Sequence, residues 1–403
     1  MSGVGALYLH VPFCLRRCSY CDFASEACAH ADPLMRTYGR SLARLVDEAA
    51  ALGLLEGLQT AYVGGGTPTM LGAEGLAGLL AGVTGGGGLT EVSFEANPES
   101  LSDEVLLAAV QAGATRVSVG VQSFDDRELG ALGRAHSSAL ARERVSAAVS
   151  SGLSTSLDLM CGVPYQSAPS WESSLSQAVE LGVDHVSCYP LTIEPGTPME
   201  RLCEAGRLPW PSDDTEADDM QAAERVLGGA ELARYEVASY ARLGARCRHN
   251  VAYWTGVEYL GLGTSAASML GRARYEVLRR ACPSLPASAP DAERLRLTTA
   301  SPTREVSAAR RLADLSFEVE QLGGREALAE DLMLGLRMTD GVGSGLLARA
   351  REVMGADALE GAVAAALADD LACLRPDGRL VPTERGWLMG NELYGLFWGL
   401  ARA

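Results

Sequence analysis

Tyr8-Leu-His-Val-Pro-Phe-Cys14-Leu-Arg-Arg-Cys18-Ser-Tyr-Cys21-Asp-Phe23 is the stretch on which the reading of this chain turns. It begins in a strand. Ala6–Val11 is short, apolar and rich in β-formers, as a buried parallel strand is. Three cysteines then follow within eight residues. Thiolates at this spacing can wrap one corner of an iron–sulfur cubane and leave the fourth iron without a protein ligand, whereas such clusters ordinarily take four cysteines. An open iron is a coordination site for a cofactor or substrate, as the open position of a catalytic zinc is. The plainer alternatives are zinc or three packed thiols. Zinc would need a fourth ligand, for which His10 and Cys28 are the nearby candidates, and C-x3-C-x2-C is not a usual zinc spacing. The position of the cysteines directly after a strand favours the cluster.

Outward from this stretch the chain alternates strands and helices. Further strands are predicted at Thr60–Val63, Glu91–Ala96, Arg116–Val121, Ser154–Met160 and His185–Tyr189. Between them lie amphipathic helices at Asp32–Leu52, Ser102–Ala112, Ser138–Ser151 and Pro169–Leu181. Asp32-Pro33 reads as an N-cap followed by proline in the first turn. Ser102 caps the second helix, with Asp103 and Glu104 on its positive end. Six βα units in series imply an α/β fold with a parallel sheet. Six are too few for an ordinary eight-stranded barrel, so the expectation is an open, partial (β/α)6 barrel with its chemistry at the C-terminal strand ends. This core spans 1–245. A connecting region over 246–322 contains a Pro/Ser/Ala-rich loop, Cys282–Pro290. Helices at Glu326–Leu336, Gly345–Val353 and Ala356–Asp370, then a hairpin turning at Asp377-Gly378, predict a small winged-helix-like α+β domain over 323–403. Gly85–Gly88 reads as a flexible loop.

Composition narrows the function. The chain has 403 residues and a net charge of −17, which disfavours nucleic acid because phosphate binding needs clustered positive charge. All 34 basic residues are arginine. No apolar run is long enough to span a bilayer, and the N-terminus lacks the basic-then-apolar pattern of a signal peptide. Without an export signal, the ten cysteines are expected to be thiols. Cys161, Cys188, Cys203, Cys247, Cys282 and Cys373 read as small apolar residues, and Cys28 breaks the cluster spacing.

Each predicted strand ends in polar or glycine residues. Val63-Gly-Gly-Gly-Thr-Pro-Thr69 lets a ligand approach the backbone. Glu95 and Asn97 follow strand three, Gln122, Ser123 and Arg134 strand four, Asp158 lies in strand five, and Thr192 and Glu194 follow strand six. Such groups on every strand of one rim suit a ligand's polar edges better than unrelated caps do. His249-Asn-Val-Ala-Tyr-Trp254 pairs a histidine, a residue able to ligate haem iron, with aromatics, though a histidine beside aromatics is more often structural. Gly261-Leu-Gly263 reads as a turn close to a ligand.

Over nearly its whole length the chain resembles the coproporphyrinogen III oxidase-like radical S-adenosylmethionine (SAM) proteins. The resemblance lies in Tyr8–Cys21, Gly64–Thr69, Glu95–Pro98, Gly120–Phe124, Leu132–His136, Asp158–Pro164 and Leu191–Thr197, with Leu332–Arg337, Leu380–Gly386 and Asn391 near the C-terminus. It implies a [4Fe–4S] cluster on Cys14, Cys18 and Cys21, with SAM on the open iron. It implies SAM contacts by Tyr8, Gly65, Gly66, Thr67, Glu95, Gln122, Arg134 and Asp158. The anaerobic oxidases of this family carry a further cysteine where this chain has Phe23. The family's haem-chaperone branch has Cys-Asp-Phe there and a His-Asn-x-x-Tyr-Trp motif. Both features are present, as Cys21–Phe23 and His249–Trp254. After Gly263, Thr-Ser-Ala-Ala-Ser departs from that branch toward the oxidases. The resemblance thus implies a haem chaperone that binds haem, with His249 as a contact, and passes it to haem-requiring acceptors such as respiratory enzymes of the membrane. It further implies a cytoplasmic location, free or peripheral at the membrane. The rivals are coproporphyrinogen III decarboxylation and radical opening of haem. No catalytic residue is assigned.

Overall fold

Alternation along the strands sets the architecture. The computed structural model describes residues 3–29, 32–85 and 87–402, so Gly86 of the predicted glycine loop lies outside the described residues. The parallel strands are β1 (Ala6–Val11), β2 (Thr60–Gly65), β3 (Glu91–Ala96), β4 (Arg116–Gln122), β5 (Ser154–Cys161) and β6 (His185–Pro190). Leu7, Leu9, Ala61, Val63, Val92, Phe94, Val117, Val119, Leu157, Leu159 and Val186 are buried on the outer face, under the helices. The alternate set, Tyr8, Tyr62, Ser93, Glu95, Ser118, Ser156, Asp158 and Ser187, lines the interior. An ordinary (β/α)8 barrel fills that space with branched aliphatic side chains. Here it is polar, and therefore wettable.

The helices begin where their caps dictate. Asp32 accepts from the Leu34 amide at 2.8 Å and starts Pro33–Ala51. Ser102 accepts from Val105 at 3.2 Å and starts Asp103–Gln111. Trp171, in the helix Ala168–Glu180, is wholly buried, and its indole donates to the Asp219 carbonyl at 2.8 Å.

The sheet extends past the six predicted strands. After β7 (Ala233–Arg234) and β8 (Ser239–Ala241), the chain returns through β9 (Tyr259–Leu262), which pairs in parallel with the open side of β1. Antiparallel β10 (Ala267–Gly271), β11 (Ala292–Thr299) and β12 (Phe317–Gly323) follow. The twelve strands run β12-β11-β10-β9-β1-β2-β3-β4-β5-β6-β8-β7, an open order. Residues 246–322 therefore add four strands to the sheet, interspersed with the helices Arg248–Trp254, Arg272–Ala281 and Thr303–Ala308. The sequence pattern missed β9 because four residues are too few to show a period. Gly263 closely approaches β1: a Cβ there would lie 2.5 Å from the His10 carbonyl oxygen.

The C-terminal residues pack separately. Leu328, Leu332, Leu336, Val342, Leu380, Leu393 and Phe397 belong to a hydrophobic cluster of their own. It is formed by helices Gly324–Gly335, Ser344–Met354, Ala356–Ala368 and Gly390–Trp398 with the hairpin β13 (Ala372–Leu374) and β14 (Leu380–Pro382).

Candidate functional site at the strand ends

The cysteine loop leaves β1 and folds back on itself. Phe13–Cys14 pairs with Glu26–Ala27, and the Cys28 amide donates to the Cys14 carbonyl at 2.8 Å. Cys14 is buried, and Cys18 and Cys21 are half-buried. All three line one cavity of about 380 Å³. Among the described residues, no three His, Cys, Asp or Glu side chains converge on a single-ion site. A cubane asks for something different, because each thiolate binds its own iron.

The facing wall comes from the β2 turn. A Cβ on Gly66 would lie 2.9 Å from the Phe13 oxygen and 3.0 Å from Cys14 Sγ, so only glycine fits there. Gly65 has φ +117°, a region that favours glycine. Its amide donates to Glu95 Oε2 at 3.0 Å, and Tyr62 donates to Oε1 at 2.9 Å. Burial, with the nearby Asp158 charge, raises Glu95 from the ordinary 4.5 to about 7. Burial likewise raises Asp158 to about 6.

Gln122 ends β4 at φ +70°, left-handed for a non-glycine residue, where the β4–β5 register slips. Strain of this kind persists where the surroundings enforce it, and it gathers at ligand sites. Arg134 reaches across the cavity. Its Nη1 donates to Cys18 Sγ at 3.3 Å, and its Nη2 donates to Asn97 Oδ1 at 2.7 Å and to the Gly120 carbonyl at 2.5 Å. Its Nε is buried and has no hydrogen-bond partner among the described residues.

Of the residues expected to contact SAM, Gly65, Gly66, Glu95, Gln122, Arg134 and Asp158 surround the cavity with the cysteines. Tyr8 and Thr67 stand one layer back. Tyr8 donates to His10 Nδ1 at 3.0 Å and lines a second, polar chamber of about 230 Å³ below. Thr67 is buried behind Cys14, 3.6 Å from its sulfur. Glu95, Ser118, Asp158 and Tyr189 line both spaces.

The floor of the lower chamber holds His249, the residue expected to contact haem. It is 1% exposed. Nδ1 lies 3.0 Å from Thr60 Oγ1 and Nε2 3.0 Å from the Tyr253 hydroxyl, so both ring nitrogens are engaged. Tyr62 stacks on the ring at 5.1 Å, and burial lowers the His249 imidazole pKa to about 3. Thr60 opens β2, whereas the cysteines lie beyond the other strand ends, about 17 Å of strand away at ~3.3 Å per residue. His249, Asn250 and Tyr253 of the motif line this end of the chamber. His249 and Arg248 present their amides to the Glu91 carboxylate at 3.0 and 2.9 Å, a negative charge on a helix N-terminus. No spacing in the sequence links Glu91 or Thr60 to His249.

The open barrel and the cysteine-lined mouth define a radical SAM protein, and comparisons agree. Residues 8–178 match the Radical SAM superfamily. The solved structure of Escherichia coli coproporphyrinogen III oxidase, HemN, superposes with a TM-score of 0.74 over 98% of this chain and 90% of that one, at 20% identity, and so shares the fold. Nearer in sequence is the haem chaperone HemW of Mycobacterium tuberculosis H37Rv, 38% identical over 392 residues, covering 96% of this chain and 93% of that protein. HemW of Bacillus subtilis is 30% identical over 404 residues, covering 97% and 98%. The chain belongs to the HemW family of radical SAM proteins. The cofactors that accompany such a barrel are a [4Fe–4S] cluster and SAM. Three thiols at one mouth, a glycine cradle against Cys14 and an orphaned guanidinium N–H suit both.

Proposed function

We propose that this protein is a haem chaperone: it binds haem and delivers it to haem-requiring acceptor proteins, with a [4Fe–4S] cluster and SAM held at the barrel mouth. The cluster, when bound, supplies an electron donor and an open iron for the SAM amino and carboxylate groups. Cys14, Cys18 and Cys21 would hold three irons. Gly65 and Gly66 would let the methionine portion lie against the backbone, and the free Nε–H of Arg134 would face the carboxylate. Glu95 and Asp158, both partly protonated near neutral pH, would hold ribose hydroxyls as acceptor or donor. Gln122 would bind a further polar edge of SAM.

Phe23 carries the choice between chaperone and oxidase. It lines the cluster cavity, 64% exposed, at the place where the resembling oxidases carry a thiol. A phenyl at this position puts no thiol beside the cluster cavity. No helix of the described residues is long and apolar enough to cross a membrane. We place the delivery in the cytoplasm, at the membrane face where the acceptor is a respiratory enzyme.

The test uses one anaerobic preparation for two assays. Stoichiometric haem binding, with no conversion of coproporphyrinogen III to protoporphyrinogen IX under reducing conditions with SAM, is the expected outcome. Steady decarboxylation by the wild-type protein would overturn it in favour of the oxidase.

A further inference from the structure

Between two of the three cluster cysteines runs an unbroken chain of side-chain hydrogen bonds. Arg134 Nη1 donates to Cys18 Sγ at 3.3 Å, and its Nη2 donates to Asn97 Oδ1 at 2.7 Å. Asn97 Nδ2 donates to Thr67 Oγ1 at 2.8 Å, and Thr67 donates to Cys14 Sγ at 3.6 Å. The direction of every bond follows from chemistry. A guanidinium has no acceptor, so Asn97 must turn its oxygen to Arg134 and its NH2 to Thr67. The Thr67 oxygen is then an acceptor, and its one proton is left for Cys14. Space is reserved for this arrangement, since a Cβ on Gly120 would come within 2.8 Å of Asn97 Oδ1.

We infer that Asn97 is a positioning residue for the cluster, joining the donors to Cys14 and Cys18 into one polarised chain that starts on the Arg134 charge. The inference rests on the reading of Cys14, Cys18 and Cys21 as cluster ligands. Hydrogen bonds to ligand sulfurs are one of the protein's levers on cluster potential. An electron added to the cluster increases the negative charge on those sulfurs, and donors stabilise it. In a chain with all bonds in one sense, each strengthens the next. One guanidinium thus serves one thiolate directly and the other through two neutral groups, and the cluster becomes easier to reduce.

Two volume-matched variants of the full chain test this, Thr67→Val and Asn97→Leu, together with the double variant. Iron and sulfide are counted after anaerobic reconstitution. The midpoint potential is then read by a titration monitored by paramagnetic resonance, without SAM, so that Arg134 has no competing acceptor. Both single variants should hold one cluster at a potential below wild type. The double variant should fall by less than the sum, because Asn97 reaches Cys14 only through Thr67. Wild-type potentials in both single variants, or shifts that simply add, overturn the relay. If Asn97→Leu does not fold, Thr67→Val decides alone, and a wild-type potential there overturns it. A full cluster in Cys18→Ser overturns the ligand assignment beneath the proposal, and the iron count shows this before any potential is measured.

Discussion

Gly66 and Glu95 show how closely the cavity wall is drawn around its contents. A methyl at Gly66 would press on both the Phe13 oxygen and Cys14 Sγ. Gly66→Ala should therefore lower iron uptake on reconstitution as well as SAM affinity, and wild-type iron content would show that the wall yields. Glu95 acts through its proton. Its pKa is raised from 4.5 to about 7 in the folded protein by burial and by Asp158. The folded state thus favours the protonated form. The stability Glu95 contributes is complete below about pH 4.5 and declines as the pH rises toward about 7. Glu95→Gln removes that titration but leaves one acceptor oxygen for two donors, the Gly65 amide and the Tyr62 hydroxyl, so the slope, not the absolute stability, is the measure. Melting temperature should fall less between pH 5 and 7 in Glu95→Gln than in wild type, and equal slopes would contradict the shift.

Among the elements, the helix Arg248–Trp254 has the most specific role. It closes the bottom of the polar barrel, with its N-terminus on Glu91 and with His249 wedged between Thr60 and Tyr253. Replacing His249 with alanine strands two hydroxyls in the interior and opens a cavity. The expected cost is about 2–4 kcal/mol of stability. Haem absorption per folded molecule should be unchanged. A lost haem spectrum at an unchanged melting temperature would instead make His249 a haem ligand.

At the scale of the whole molecule, the C-terminal cluster is tied to the sheet by a forked ion pair. Arg294 on β11 donates from Nη1 and Nη2 to Asp331 Oδ1 and Oδ2 at 2.5 and 2.7 Å. The side chains are only 17% and 13% exposed. Removing one partner leaves the other desolvated and unpaired, which typically costs 3–5 kcal/mol for a fully buried pair. For this partly screened one, about 2–3 kcal/mol is expected for Arg294→Ala. Because the two sides have separate cores, the loss should also split thermal unfolding into two transitions. A single transition at the wild-type temperature would mean that the pair contributes little to holding them together.

The features legible in the sequence are those that short stretches determine by themselves. Cys14, Cys18 and Cys21 lie on one loop, the glycines of Gly64–Gly66 on one turn, and the six long strands and their capped helices follow local periodicity and cap chemistry. Phe23 is legible in the same way, as one side chain in a motif. Tertiary structure decided whatever depends on partners far apart in the chain. His249 carries the sequence signature of a ligand, yet it meets Thr60 from 189 residues away and is thereby enclosed. Arg134 meets Cys18 across 116 residues and Asn97 across 37, so their relay has no spacing to betray it. The polar barrel interior shows the same division. Each serine or carboxylate is visible as an alternate residue in its strand, but only the curl of the sheet turns them all inward, where a hydrogen-bonding group is costly unless it meets another or water.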